Sequence, residues 1–295
     1  MMPPSISASL HKLPRKVNLS VTPSLWRRLS SLLACAVVSL LVFSPGLRAQ
    51  SDSQPDSQAD DPAQESSSLA ESASRDVSLS LLPANFLRDE ENMWLFPREL
   101  ARGRYWAPTV VVAAATLGLL SADPHVQPYF AHTNVFRDFN RDFASNVTGA
   151  ETIVIPAALY VAGLDLHDSY MEKTALFAGE AVADAEVLRV VLNSLTNRWR
   201  PQDIFNRRSY SNTFFHSASH VGSSFPSGHM IAAVSIATVI ARRYRNHRWV
   251  PWAAYGLAAT IGFSRITLRT HFPSDVVLGT VLGYAIARYD VLQNQ

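Results

Sequence analysis

From Ala107 to the C-terminus the chain alternates apolar stretches of helical length with short polar or proline-marked breaks. Six such stretches fall at roughly 107–120, 152–164, 174–195, 227–243, 250–263 and 274–288. Strand-like alternation is weak, so the pattern predicts an all-α domain, a helical bundle of about six core helices. Local punctuation agrees. Ala122-Asp123-Pro124 closes the first stretch, and Ser227 is a good N-cap with Gly228 in the first turn behind it. Pro273 stands at the start of the last stretch, where a missing N–H costs nothing. Most stretches are 13–17 residues, about 20–25 Å of helix. A bilayer core is about 30 Å thick, so these lengths suit the core of a soluble bundle at least as well as a membrane.

Short connections favour antiparallel neighbours. With alternating directions, the third helix ends where the fourth begins, and the fifth ends where the sixth begins, at the same face. Arg200, His229, Arg265 and His271 therefore all arrive at one end of the bundle.

Before the bundle the composition changes twice. Residues 1–49 hold six Lys/Arg and no acid, with Arg27-Arg28 ahead of an apolar run from Leu29 to Phe43 and a small-residue exit at Leu47-Arg48-Ala49. That is the pattern of a signal peptide, and the run of about 15 apolar residues is short for a membrane span, which needs about 20. Residues 51–76 are Ser, Asp, Gln, Ala and Glu with almost no large apolar group, too little buried surface to offset ordering entropy. The expected organisation is a signal peptide at 1–49, a disordered tether and docking segment at 50–92 and a helical domain at 93–295. Residues 50–295 carry 20 Lys/Arg against 24 Asp/Glu, a net −4. Such a domain does not read as a nucleic-acid binder, which would present a basic face. Cys35 is the single cysteine, so no internal disulfide forms.

Three stretches carry chemistry: Arg200-Pro201, Pro226-Ser227-Gly228-His229, and Ser264-Arg265 followed by His271 and Asp275. A phosphate monoester repels an anionic nucleophile but not a neutral imidazole. An imidazole can accept the phosphoryl group and lose it to water, dividing one hard step into two. His271 is the candidate, with Asp275 four residues on as acceptor for its second ring nitrogen. The transferring oxygens need fixed donors. Arg200 and Arg265 offer charged bidentate hydrogen bonds, Ser227 a hydroxyl, and Gly228 a backbone that approaches closely at a helix N-terminus. His229 is placed to protonate the leaving alkoxide.

Together these residues closely resemble the three-part signature of the type 2 phosphatidic acid phosphatase superfamily, which includes lipid phosphate phosphatases, bacterial acid phosphatases and vanadium haloperoxidases. The resemblance covers about residues 174–288. It implies phosphate binding by Arg200, Ser227, Gly228 and Arg265, a general acid at His229, a nucleophile at His271 and its orienting partner at Asp275, with no cofactor and no metal. His-Phe-Pro-Ser-Asp followed by an apolar helix is similar to the lipid phosphatase branch. One position departs. The family's first part begins with a lysine seven residues before the arginine, and Asn193 stands there. The only lysine after residue 49 is Lys173. Arg198 and Arg269 are the candidates for a compensating cation.

The resulting expectation is a phosphoric monoester hydrolase acting on a phosphorylated small molecule or lipid, including lipid phosphates and pyrophosphates, through a phosphohistidine. It is exported to the periplasm or cell envelope and meets a membrane surface, with an integral membrane enzyme as the alternative location. A vanadium-dependent haloperoxidase and a non-catalytic envelope protein that binds phosphorylated lipids are the alternative functions.

Overall fold

The computed structural model describes residues 77–143, 145–204, 210–216 and 223–292, with the backbone alone over 145–151. The expected signal peptide and residues 50–76 of the tether lie outside the described residues. The described chain is all-α: α1 Leu82–Ala101, α2 Trp106–His132, α3 Arg137–Asp142, α4 Ser145–Leu166, α5 Ser169–Thr196, α6 Gly228–Arg243, α7 Trp249–Thr267 and α8 Pro273–Ala285. A π-helical segment, Ile286–Val291, continues α8. α1 runs across the boundary expected at residues 92 and 93.

α6 lies at the centre. It packs against α5, α7 and α8, and nearly every residue from Met230 to Ala241 is buried. A helix that is apolar all round belongs inside a bundle. Phe177 of α5, Leu159 of α4, Ile231 and Val239 of α6 and Ala287, Val291 and Leu292 behind α8 form the main core around it.

The helices begin and end for local reasons. Asp168 caps α5, its carboxylate accepting from the backbone N–H groups of Tyr170 and Met171 at 3.0 Å each. Asn197 ends α5 in a left-handed conformation at φ 40°, a role asparagine tolerates. Asp275 closes the first turn of α8 by accepting from the N–H of Phe272 at 2.8 Å.

Four helices are longer than the sequence suggests, α4 with 22 residues and α7 with 19 among them; the two longest matter most. α2 does not stop at Asp123-Pro124 but passes through Pro124 and Pro128 to His132, 27 residues in all, and α5 has 28. At 1.5 Å per residue these are about 40 Å long. Tertiary docking overrides the proline signal in α2: Asp123 and Gln127, both fully buried, anchor the second half of the helix to the segment before α8. The short-helix argument for a soluble bundle therefore fails for α2 and α5.

α6 and α8 cross at two glycines. A Cβ on Gly279 would sit 2.7 Å from the carbonyl oxygen of Ser227, and one on Gly283 would sit 2.3 Å from that of Ile231. Small residues let helix backbones approach this closely, and Ser235 Oγ uses the approach to donate to the Gly283 carbonyl at 3.0 Å. On an open helix face Gly→Ala gains about 1 kcal/mol. At Gly283 the sign reverses: Gly283→Ala is expected to lose about 1–3 kcal/mol through overpacking. Gly118→Ala, with nothing within 4 Å, keeps or raises stability. Denaturant titration of both variants checks the contrast.

Candidate active site

The four ends converge as expected. The segment after α5 pairs with the one before α6 through Ser224 N–H to Arg198 O at 2.8 Å, and with the one after α7 through Gln202 N–H to Arg269 O at 2.9 Å. The start of α6 meets the start of α8 through Ser227 N–H to Asp275 O at 3.1 Å. His271 N–H donates to the carbonyl of Arg265 at 3.2 Å. The rings of His229 and His271 face each other edge-on, centroids 6.2 Å apart.

His271 is buried, and its Nδ1 lies 2.7 Å from the carbonyl oxygen of Ser224. A carbonyl only accepts, so Nδ1 holds the proton and Nε2 keeps its lone pair. This differs from the expected pairing. Asp275 Oδ2 is 3.7 Å from Nδ1, because that oxygen already accepts from Phe272 N–H and from Ser224 Oγ at 2.8 Å each. Asp275 thus acts on the ring one step removed, by fixing Ser224 and the turn that carries the histidine.

Arg198 is the centre of that support. It is almost fully buried and pairs with two carboxylates, Asp123 at 2.7 Å and Asp275. It also donates to Ser274 Oγ at 2.8 Å and Thr213 Oγ1 at 3.0 Å, and stacks on Phe272 with its guanidinium 3.9 Å from the ring centre. Nε, Nη1 and Nη2 of Arg198 each donate to one of these internal partners. Arg269, at φ 58°, donates from Nη2 to the Pro201 carbonyl at 3.3 Å, and its Nε is buried without a partner among the described residues.

The donors expected to hold phosphate divide in two. Arg265 is completely buried. Its Nε and Nη2 donate to Ser264 Oγ at 3.0 and 2.9 Å, and Nη2 also donates to the carbonyl of Phe143. Arg200 Nε and Ser227 Oγ, in contrast, are buried with no hydrogen-bond partner among the described residues. Ser227 stands at the N-cap of α6 but does not cap it with its side chain. A buried hydroxyl and a buried guanidinium N–H left unpaired are costly, and Ser227 stands beside Gly228 at the start of a 16-residue helix, whose end favours an anion. Burial pushes the Arg200 guanidinium down from its usual range; Asp203 opposes this, Arg189 adds to it and Asp275 opposes it. Among the described residues no group of three or more His, Cys, Asp or Glu is arranged for a metal ion.

Residues 174–294 match the PAP2 superfamily model. That segment contains every element of the site except Asp123, Gln127 and the carbonyl of Phe143. Residues 174–294 are a PAP2 superfamily domain. The chain is 31% identical over 114 residues to the bacitracin transport permease protein BcrC of Bacillus licheniformis, which is 39% of this chain and 52% of that protein. It thus spans about half the length of the curated relative it matches. The crystal structure of a transmembrane PAP2 type phosphatidylglycerolphosphate phosphatase from Bacillus subtilis aligns with 68% of this chain and 92% of its own, at 22% identity and a TM-score of 0.37.

Asp123 and Gln127 lie outside the PAP2 segment, and sequence reasoning passed over them. Asp123 accepts from Ser274 N–H at 3.2 Å, from Ser274 Oγ and from Arg198, and Gln127 Nε2 donates to the carbonyl of His271 at 3.1 Å. The one signal in the sequence is an acid inside an otherwise apolar stretch, beside a proline that locally marks a helix end. Arg198→Met keeps much of the volume but leaves Asp123 and Asp275 as buried, unpaired carboxylates. It is expected to cost about 3–5 kcal/mol, measured as a lowered denaturation midpoint.

Proposed function

We propose that the chain is a membrane-embedded phosphatase that hydrolyses a lipid phosphate or pyrophosphate through a phosphohistidine at His271. The observation that carries the reading is the 2.7 Å contact of His271 Nδ1 with the Ser224 carbonyl: a neutral imidazole that donates there has its lone pair on Nε2, the nucleophilic nitrogen, in a site that also holds Arg200 Nε and Ser227 Oγ, donors without a partner among the described residues. In the first step Nε2 forms a bond to phosphorus as the bond from phosphorus to the leaving oxygen breaks, and His229 gives that oxygen a proton. In the second step water attacks phosphorus, the N–P bond breaks and His229 takes the proton back. Arg200, the Ser227 hydroxyl and the backbone at Gly228 hold the equatorial oxygens. No metal takes part in either step. Asp275 is a positioning residue through Ser224.

The membrane reading rests on the outer surface. α2 is the one helix among the described residues long and apolar enough to cross a bilayer, and only 6% of its apolar window is buried. Val110, Val111 and Leu117 are exposed along it, with Trp106 and Tyr129 exposed toward its two ends, where aromatic rings favour the interface. Ile153, Val154, Val161 and Leu164 of α4 and Trp252 and Phe263 of α7 add to the exposed apolar side chains, and large exposed apolar patches mark protein or membrane contacts. The name of the Bacillus licheniformis relative, a transport permease protein, is consistent with a membrane location.

Two experiments test this reading. The protein stays in the membrane fraction through high-salt washing and leaves it with detergent; release by salt alone refutes embedding. In detergent, phosphate release from phosphatidic acid and from a polyprenyl pyrophosphate falls by about 10³-fold or more in His271→Ala. In His229→Asn it falls by about 10²–10⁴-fold, and less with p-nitrophenyl phosphate, whose leaving group needs little protonation. Full activity in His271→Ala refutes the phosphohistidine.

A further inference from the structure

We propose that Arg189 is a second phosphate-binding cation of this site, reaching it across Gly228 from one helical turn before Asn193. The proposal deepens the phosphatase reading by naming a residue of the same site that no motif marks.

The placement of the arginine stem is the first ground. A Cβ built on Gly228 would lie 2.0 Å from Arg189 Cδ, 2.9 Å from Cγ and 3.3 Å from Nε. The side chain therefore passes directly over the start of α6, through space that only a glycine at 228 leaves open. Glu186 takes the Nε and Nη2 protons, at 2.8 Å from Nε. A pair three residues apart on one helix face does not require a path over another helix's N-terminus.

Asn193 supplies the second ground. With its amide turned so that both ends pair, Nδ2 donates to the carbonyls of Phe225 at 2.7 Å and Pro226 at 3.3 Å, and Oδ1 lies 3.2 Å from Arg189 Nη1. Asn193 thus ties the segment before α6 to α5 and presents an acceptor that orients the Arg189 guanidinium. The position that lacks a charge holds the residue that has one.

The third ground is the company Arg189 keeps. Ser227, the residue before Gly228, holds a buried Oγ with no partner among the described residues, as does Arg200 at Nε, and the positive charge of Arg189 acts on Arg200. Like charges gathered around unpaired donors at a helix N-terminus are relieved by an anion, and a phosphoryl group has oxygens enough for all of them.

The test reads binding of inorganic phosphate by calorimetry on the full chain in detergent, with kcat and KM measured on the same preparations. Arg189→Gln is expected to weaken phosphate binding about tenfold or more, with Arg189→Lys intermediate. Adding Asn193→Lys to Arg189→Gln restores binding, because the cation returns to the same point from one turn nearer. Glu186→Gln leaves the cation and removes its partner, so phosphate binds as well as in the wild type or better. Wild-type binding in Arg189→Gln overturns the proposal. So does equal weakening in Glu186→Gln, which would mark the pair as structural, and so does failure of Asn193→Lys to rescue. If Arg189→Gln does not fold, the Arg189→Lys and Glu186→Gln pair decides by the same criteria. Phosphate binding that depends on Arg189 without turnover sinks the phosphatase reading alone; turnover indifferent to Arg189 sinks this proposal alone. A wild-type chain that binds no phosphate sinks both.

Discussion

The buried guanidinium of Arg198 between Asp123 and Asp275 is the interaction on which the site depends. It joins α2, the segment after α5 and the first turn of α8, three pieces that are distant in sequence. Removing an arginine and two carboxylates from water costs several kcal/mol per ion, and the pairing returns that only when geometry and the remaining hydrogen bonds are good. Here Ser274, Thr213, Ser224 and the N–H of Phe272 complete them. Such a cluster adds little net stability compared with an apolar core. What it fixes is the turn at His271, and through Ser224 the choice of which imidazole nitrogen keeps its lone pair.

Around that cluster the cations fall into two groups. Arg198 is neutralised by carboxylates, and Arg265 donates to Ser264 and to a carbonyl of Phe143. Both serve as internal ties. Arg200 keeps a buried Nε without a partner among the described residues, and Arg189, paired with Glu186, lies across the start of α6.

The bundle that presents this site is built by close backbone approach more than by bulk. α6 is buried on all sides, and Gly279 and Gly283 let α8 rest against its carbonyls. That contact holds Ser227 against Asp275 and so couples the helix crossing to the start of α6. The large apolar side chains that a soluble bundle would bury are instead found outside, on α2, α4 and α7.

The all-α class, the order of the helices and the convergence of Arg200, Ser227, Gly228, His229, Arg265 and His271 at one end were legible in the sequence. They follow from apolar periodicity, proline and serine at helix starts, and alternating direction, all of which are local signals. The tertiary structure decided the rest. It carried α2 through two prolines, because buried contacts by Asp123 and Gln127 outweigh a local helix-breaking preference. It gave the Nδ1 proton of His271 to a backbone carbonyl instead of Asp275, because the carboxylate was already engaged by nearer donors. It also spent Arg198 internally and brought Arg189 over Gly228. Hydrogen-bond partners depend on what stands within about 3 Å in space, and residue spacing along a chain does not report that distance between separate helices.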